Sequence, residues 1–254
     1  MYRLPILATI LALMVPAAPA QQGATVAEQY LFSLTNQHRA EHHLPALAWD
    51  SALARAARNH AAVIAAHPGP AEHQYLGEAD LKSRTYAAGA HYSEVSENVA
   101  GHAMAPVEFD RAWMNSPVHR ANILDPNLTS IGIAVVERGG NLFAVEDFSH
   151  ATQVFGGTNQ VEQQAERLLR ERGLRIATSP EAHQDAREIC RQPSSTAGHP
   201  LLIMQWDGAD LTQLPAAVLQ SLPQVREHSV AVGACPSTHP QPGFTTYHLA
   251  VLMF

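Results

Sequence analysis

Two apolar runs joined by a glycine-rich turn constrain this chain more than any other feature. Ser130 to Val136 and Leu142 to Phe148 are dense in Ile, Val and Phe, and Arg138-Gly139-Gly140-Asn141 between them reads as the turn of a β-hairpin. The first run is nearly continuous in apolar residues instead of alternating, which a strand tolerates only when both faces are covered. Helical patterns precede the hairpin. The expectation is a mixed α/β fold with helices on both faces of a sheet, an α-β-α sandwich.

Residues 26 to 43 place Tyr30, Leu31 and Leu34 on one stripe of an amphipathic helix, and Pro45 then forces an extended link into Trp49. Asp50 is a good N-cap for a second helix to about Ala66, in which Leu53, Ala57, His60, Ala61 and Ile64 recur on the apolar side. A third helix is expected over 78 to 88, stopped by Gly89, and a fourth from Pro106 through Trp113. Ser116-Pro117 restarts a short turn through Leu124. Past Phe155-Gly156-Gly157-Thr158 the pattern begins again. Helices are expected near 161 to 172, 180 to 191 and 211 to 222, with an apolar run from Leu201 to Trp206 and two strands, Ser229 to Ala234 and Thr245 to Phe254. This predicts a first domain over 26 to 155 and a smaller α+β domain over 159 to 254. The strand pair closing the second echoes the hairpin closing the first, which leaves a decayed duplication open.

Arg3, the apolar stretch Leu4 to Val15 and Ala18-Pro19-Ala20 have the layout of a cleaved secretory signal over 1 to 20, so a secreted or periplasmic product is expected. That stretch falls short of the ~20 residues a bilayer requires, and no later one is long enough, so no transmembrane segment is expected in the mature chain. The formal net charge is −7 with no block of like charge, which argues against a nucleic-acid or anionic-membrane surface, so no nucleic-acid partner is expected. An oxidising compartment permits one bridge, Cys190 to Cys235, contributing about 2–4 kcal/mol. Two buried free thiols are the alternative.

Several segments in order resemble the bacterial branch of the CAP/SCP superfamily, the cysteine-rich secretory, antigen 5 and pathogenesis-related proteins. They are Leu34-x-Asn36-x-x-Arg39, Leu44-Pro45-x-Leu47-x-Trp49-Asp50, Leu53 through His60-Ala61, Ala88-Gly89, Glu97-Asn98-Val99-Ala100, Trp113 through Leu124, and Ile131-Gly132-Ile133. The resemblance implies the family's sandwich and a cleft with two histidines and two glutamates, in some members with a divalent cation. Glu97 matches the glutamate of the Glu-Asn motif and His119 the second histidine. His73 is assigned as the first by its distance to Ala88-Gly89, while His67 beside Pro68 reads as part of a turn. The second glutamate is missing, since Met114, Asn115 and Ser116 follow Trp113. If residues 159 to 254 are a repeat, they are a degenerate CAP-like one.

Two imidazoles and a carboxylate suit Zn²⁺ or a similar cation, expected to be weakly bound with one carboxylate lost. The leading expectation is a secreted protein that binds a small molecule, a lipid, a divalent metal or a protein partner at His73, Glu97, His119 and Ser116. A metal-assisted hydrolase is the alternative, as is an extracellular interaction protein. Ser116, His119 and Glu97 would then serve as nucleophile, base and orienting group. The simpler role for Ser116 is the N-cap before Pro117. Arg120 and Asn122 are expected to fix the loop carrying His119, and Trp49 and Trp113 to pack.

Overall fold

The computed structural model describes residues 23–225, 228–236 and 246–254. The expected secretory signal and Thr245 lie outside them.

Helix α1 (Val26–Glu41) opens with a capping box. Thr25 Oγ1 accepts from Glu28 N at 3.3 Å, and Glu28 Oε2 accepts from Thr25 N at 2.7 Å. Strand β1 (Ala48–Trp49) leads into α2 (Ser51–Ala66), where Asp50 Oδ1 accepts from Ala52 N and Leu53 N. Helices α3 (Leu81–Ala87), α4 (Pro106–Asn115) and α5 (Pro117–Ile123) stand where the sequence places helical turns. Between α3 and α4 runs a strand that the residue pattern did not announce, β2 (Tyr92–Ala103). The hairpin follows as β3 (Ser130–Arg138) and β4 (Asn141–Ala151).

The four strands order as β1-β3-β4-β2, with β1 parallel to β3 and the rest antiparallel. Leu31, Phe109, Trp113 and Ile123 of α1, α4 and α5 cover one face with Ile131 and Ile133. Ala57, Ala61 and Ile64 of α2 cover the other with Ala134 and Val145. The result is an α-β-α sandwich whose third strand is buried on both faces, as its unbroken apolar run requires.

The family-like residues of α1 prove architectural. Arg39 is fully buried, and its guanidinium donates to the carbonyls of Pro45, Ile123, Asp125 and Leu128 at 2.8 to 3.2 Å. Asn36 exchanges two hydrogen bonds with the backbone of Leu47. Together they tie α1 to the link before β1 and to the loop after α5.

The second half contains α6 (Thr158–Glu171), β5 (Arg175–Ile176), α7 (Pro180–Arg191), β6 (Leu202–Gly208), α8 (Ala216–Val225), β7 (Ser229–Cys235) and β8 (Tyr247–Met253). The expected helix from Leu211 starts later, because Pro215 stands immediately before Ala216 as the first helical residue. The strands order as β5-β7-β8-β6. Residues of α6 and α8 pack on one face of this sheet and residues of α7 on the other. Cys190 and Cys235 form a disulfide with Cα atoms 5.8 Å apart, joining the end of α7 to the end of β7.

Candidate functional site

The candidate site begins with Glu97, whose side chain points from β2 toward the α2 face of the sheet. Its carboxylate is almost fully buried, and both oxygens are taken. Oε1 accepts from His73 Nδ1 at 2.9 Å and Oε2 from Arg84 Nη2 at 2.5 Å. Arg84, on α3, also donates to the carbonyls of His73 and Ala79. One guanidinium thus neutralises Glu97 and holds both sides of the loop before α3.

That loop is anchored a second time by His60. Its ring is buried in α2, with Nε2 3.0 Å from Glu72 O and Nδ1 2.7 Å from Glu78 Oε1. Because a carbonyl oxygen can only accept, Nε2 carries a hydrogen there. The apolar-face position was legible in the helical spacing, but the two loop contacts were not. His67 turns the other way: its Nδ1 faces Val63 O at 2.9 Å and its ring stacks on Tyr75 at 4.2 Å.

His119 is delivered by the opposite layer. Asn98 Nδ2 donates to His119 O at 3.2 Å, and Asn122 Nδ2 donates to Asn98 Oδ1 at 2.9 Å and Glu97 O at 3.2 Å, latching α5 to β2. Arg120 donates to Met114 O and braces the α4–α5 corner. His119 is half-buried, and among the described residues its imidazole has no hydrogen-bond partner. Burial, then the neighbouring charge of His73, push its pKa below the usual histidine value. His73 shifts upward, chiefly through its hydrogen bond to Glu97. The paired histidines are therefore set apart, one favouring the imidazolium and the other the neutral ring.

Behind Glu97 lie two further acids that the motif reading passed over. Asp147 stands directly across from Glu97 in the β2/β4 register and Glu146 across from Asn98. Both are buried. No donor points at either oxygen of Asp147, and the nearby Glu97 is itself an acceptor, so their contact becomes a hydrogen bond only with a proton on one of the two acids. Burial, and then the charge of Glu97, raise the Asp147 pKa well above the carboxylate range. Burial likewise lifts Glu146 to about 8, although Thr35 Oγ1 donates to it at 2.9 Å and Asn98 Nδ2 at 3.2 Å. The signal was present in the sequence: two acids interrupt an otherwise apolar strand.

The expected nucleophile–base–acid relay is not assembled. Ser116 occupies the N-cap position of α5 yet makes no capping hydrogen bond, and Glu97 is engaged by His73 and Arg84 in place of His119. A divalent cation also fits this donor set poorly. Glu97 has no uncommitted oxygen, and among the described residues no three His, Cys, Asp or Glu side chains are grouped to hold a metal ion. Trp113 packs fully buried, its Nε1 donating to Val99 O, and Trp49 meets Phe32 edge-on. No helix among the described residues is long and apolar enough to cross a membrane.

Residues 32–155 match the family model of the cysteine-rich secretory protein family, CAP. YkwD of Bacillus subtilis is 34% identical over 128 residues, which cover 47% of this chain and 46% of that protein. This chain thus spans about half the length of that curated relative. An extracellular SCP-domain protein from Bacillus anthracis is similar at 28% identity and a TM-score of 0.44, over 48% of this chain and 40% of that one. An outer surface protein of Borrelia burgdorferi is similar at 19% identity and a TM-score of 0.46, over 50% of this chain and 93% of that one. The matched residues take in the whole first sheet, the Arg39 and Asn36 ties and the Glu97–Asn98 strand, and this part of the chain belongs to the cysteine-rich secretory protein (CAP) family.

Proposed function

We propose that the protein is exported and that its CAP domain is a binding domain, taking a small polar ligand between His73 and His119. The observation that carries this reading is the unequal engagement of the two histidines. His73 is bonded to Glu97, which raises its pKa, while the half-buried His119 ring has no hydrogen-bond partner among the described residues and its pKa is lowered. A ligand with adjacent acceptor and donor groups complements that pair. The saturated state of Glu97 argues against a resident metal and against a hydrolase that needs Glu97 to orient a base. A cation entering here must displace Arg84 or His73 from Glu97 and compete with the proton that His73 retains.

Calorimetric titration with Zn²⁺ at neutral and mildly acidic pH separates the readings. Weak uptake that disappears on acidification and is abolished in His119→Ala agrees with the proposal. Tight uptake that persists in acid would establish a metal centre and overturn it.

A further inference from the structure

The second half repeats the first in more than strand order. In α1, buried Glu28 accepts from Val135 N at 3.1 Å and from Arg58 Nη2 at 2.7 Å through the same oxygen. In α6, buried Glu162 accepts from Ala234 N at 2.9 Å and from Arg187 Nε and Nη2 at 2.8 and 2.6 Å. Arg58 and Arg187 are each the eighth residue of their helices. Val135 and Ala234 each lie five residues beyond a serine, Ser130 or Ser229, that pairs with the short parallel strand. Equal connectivity and a like clasp, with its arginines and strand amides at equal positions, mark the second half as a pared-down copy of the first fold.

The correspondence shows what the copy lacks. In the first half, Tyr92 and Ala90 pack on Ala52 and Leu53 in the first turn of α2. The Tyr92 hydroxyl lies 2.7 Å from Thr85 Oγ1 and donates to Lys82 O at 3.0 Å, both in α3. No helix stands between α7 and β6 in the second half, and β6 begins only at Leu202. The third helical residue is Ala182 where the first half has Leu53. Ala182 lines a cavity of about 610 Å³, with Ile176 and Phe254 as further apolar walls and Arg175, Ser179, Glu181, Asp185 and His228 among its polar groups.

We propose that this cavity is a binding socket for a small phenol, whose ring takes the place that Tyr92 fills in the first half and whose hydroxyl meets the polar rim. The chemistry follows from the filled counterpart: an apolar slot closed by a ring, with hydrogen-bond partners at its far end. This inference is independent of the His73–His119 reading, since it concerns the other half of the chain.

The test is NMR titration of the full chain with p-cresol, with toluene and N-acetyltyrosinamide as comparisons. Saturable shifts centred on Ile176, Ala182 and Phe254 are expected, with toluene binding at least threefold more weakly. Binding of N-acetyltyrosinamide as well would assign the socket to a tyrosyl side chain, and its exclusion to a free phenol. Ala182→Phe, which fills the slot, should weaken p-cresol at least tenfold with an unchanged fold by circular dichroism. The mapping on unmodified protein stands even if that variant fails to fold. Absence of saturable shifts, shifts scattered over the surface, equal binding of toluene, or a folded Ala182→Phe that binds unchanged would each overturn the proposal.

Discussion

The two sheets share one strand order, yet at matching places they are built from opposite chemistry. In the first, the adjacent cross-strand pairs are Asn98 with Glu146 and Glu97 with Asp147; in the second they are Met204 with Val251 and Ile203 with Leu252. The second sheet demonstrates that this topology closes without carboxyls at these strand positions. Their presence in the first is costly, because a carboxyl removed from water must be neutralised or partnered. Glu28 and Glu162, in contrast, recur in both halves and satisfy a strand amide. The comparison separates acids that recur in both halves from acids found only in the first sheet.

The largest expected effect is a pH dependence confined to the first half. Folded Glu146 keeps its proton up to about pH 8, whereas the unfolded side chain gives it up above about 4.5. Between those values the folded state binds more protons, so stability falls as pH rises, by at most about 1.4 kcal/mol per unit for one group, and the fall ends above the folded value. Hydrogen exchange at Ile131 and Ile133 should speed up from pH 5 to 8 beyond the intrinsic rate. Exchange at Val230 and Val232 should not. Glu146→Gln should reduce the first response and leave the share that the raised pKa of Asp147 contributes, and an equal slope in both sheets would break the comparison.

Exchanging the chemistry comes next. Leu252→Asp places a carboxyl in the second sheet with no counterpart of Arg84 and should cost about 3 kcal/mol or more by denaturant unfolding. Asp147→Leu removes a group that has no donor and should be neutral or stabilising. If both cost the same, the acids of the first sheet would be structural after all.

The smallest effects concern the shared clasps. Glu28→Gln and Glu162→Gln each exchange a charged acceptor for a neutral one beside an Arg that is more than a third exposed. A loss of about 1–2 kcal/mol is expected from each, with faster exchange at Val135 or Ala234 respectively and not at the other. Loss at both amides from one substitution would show that the halves unfold together.

Much of this architecture was legible in the residues because burial imposes periodicity. The unbroken apolar run of β3 required cover on both faces, and Asp50, Pro106 and Pro117 marked helix starts through backbone chemistry. Strand β2 escaped notice for the same physical reason. Its residues Ser93, Glu94, Ser96 and Glu97 are too polar to read as a strand, because β2 is an edge strand whose first half is largely unburied. The partners of Glu97 were equally hidden. His73, Arg84 and Asp147 reach it from the loop before α3, from α3 and from β4, and no local spacing encodes a contact made by three separate segments. His73, Glu97 and His119 were visible only through the resemblance, which names positions but not which oxygen meets which nitrogen.

The central claim is that His73 and His119 are shifted in opposite directions by Glu97 and by burial. Titration of the C–H resonances of His73 and His119 by NMR, in the unmodified chain and in Glu97→Gln, tests it directly. The account predicts His73 above and His119 below the ordinary histidine value of ~6.5, with His73 falling in Glu97→Gln. A reversed order, or a His73 that titrates unchanged without the Glu97 carboxylate, would contradict it.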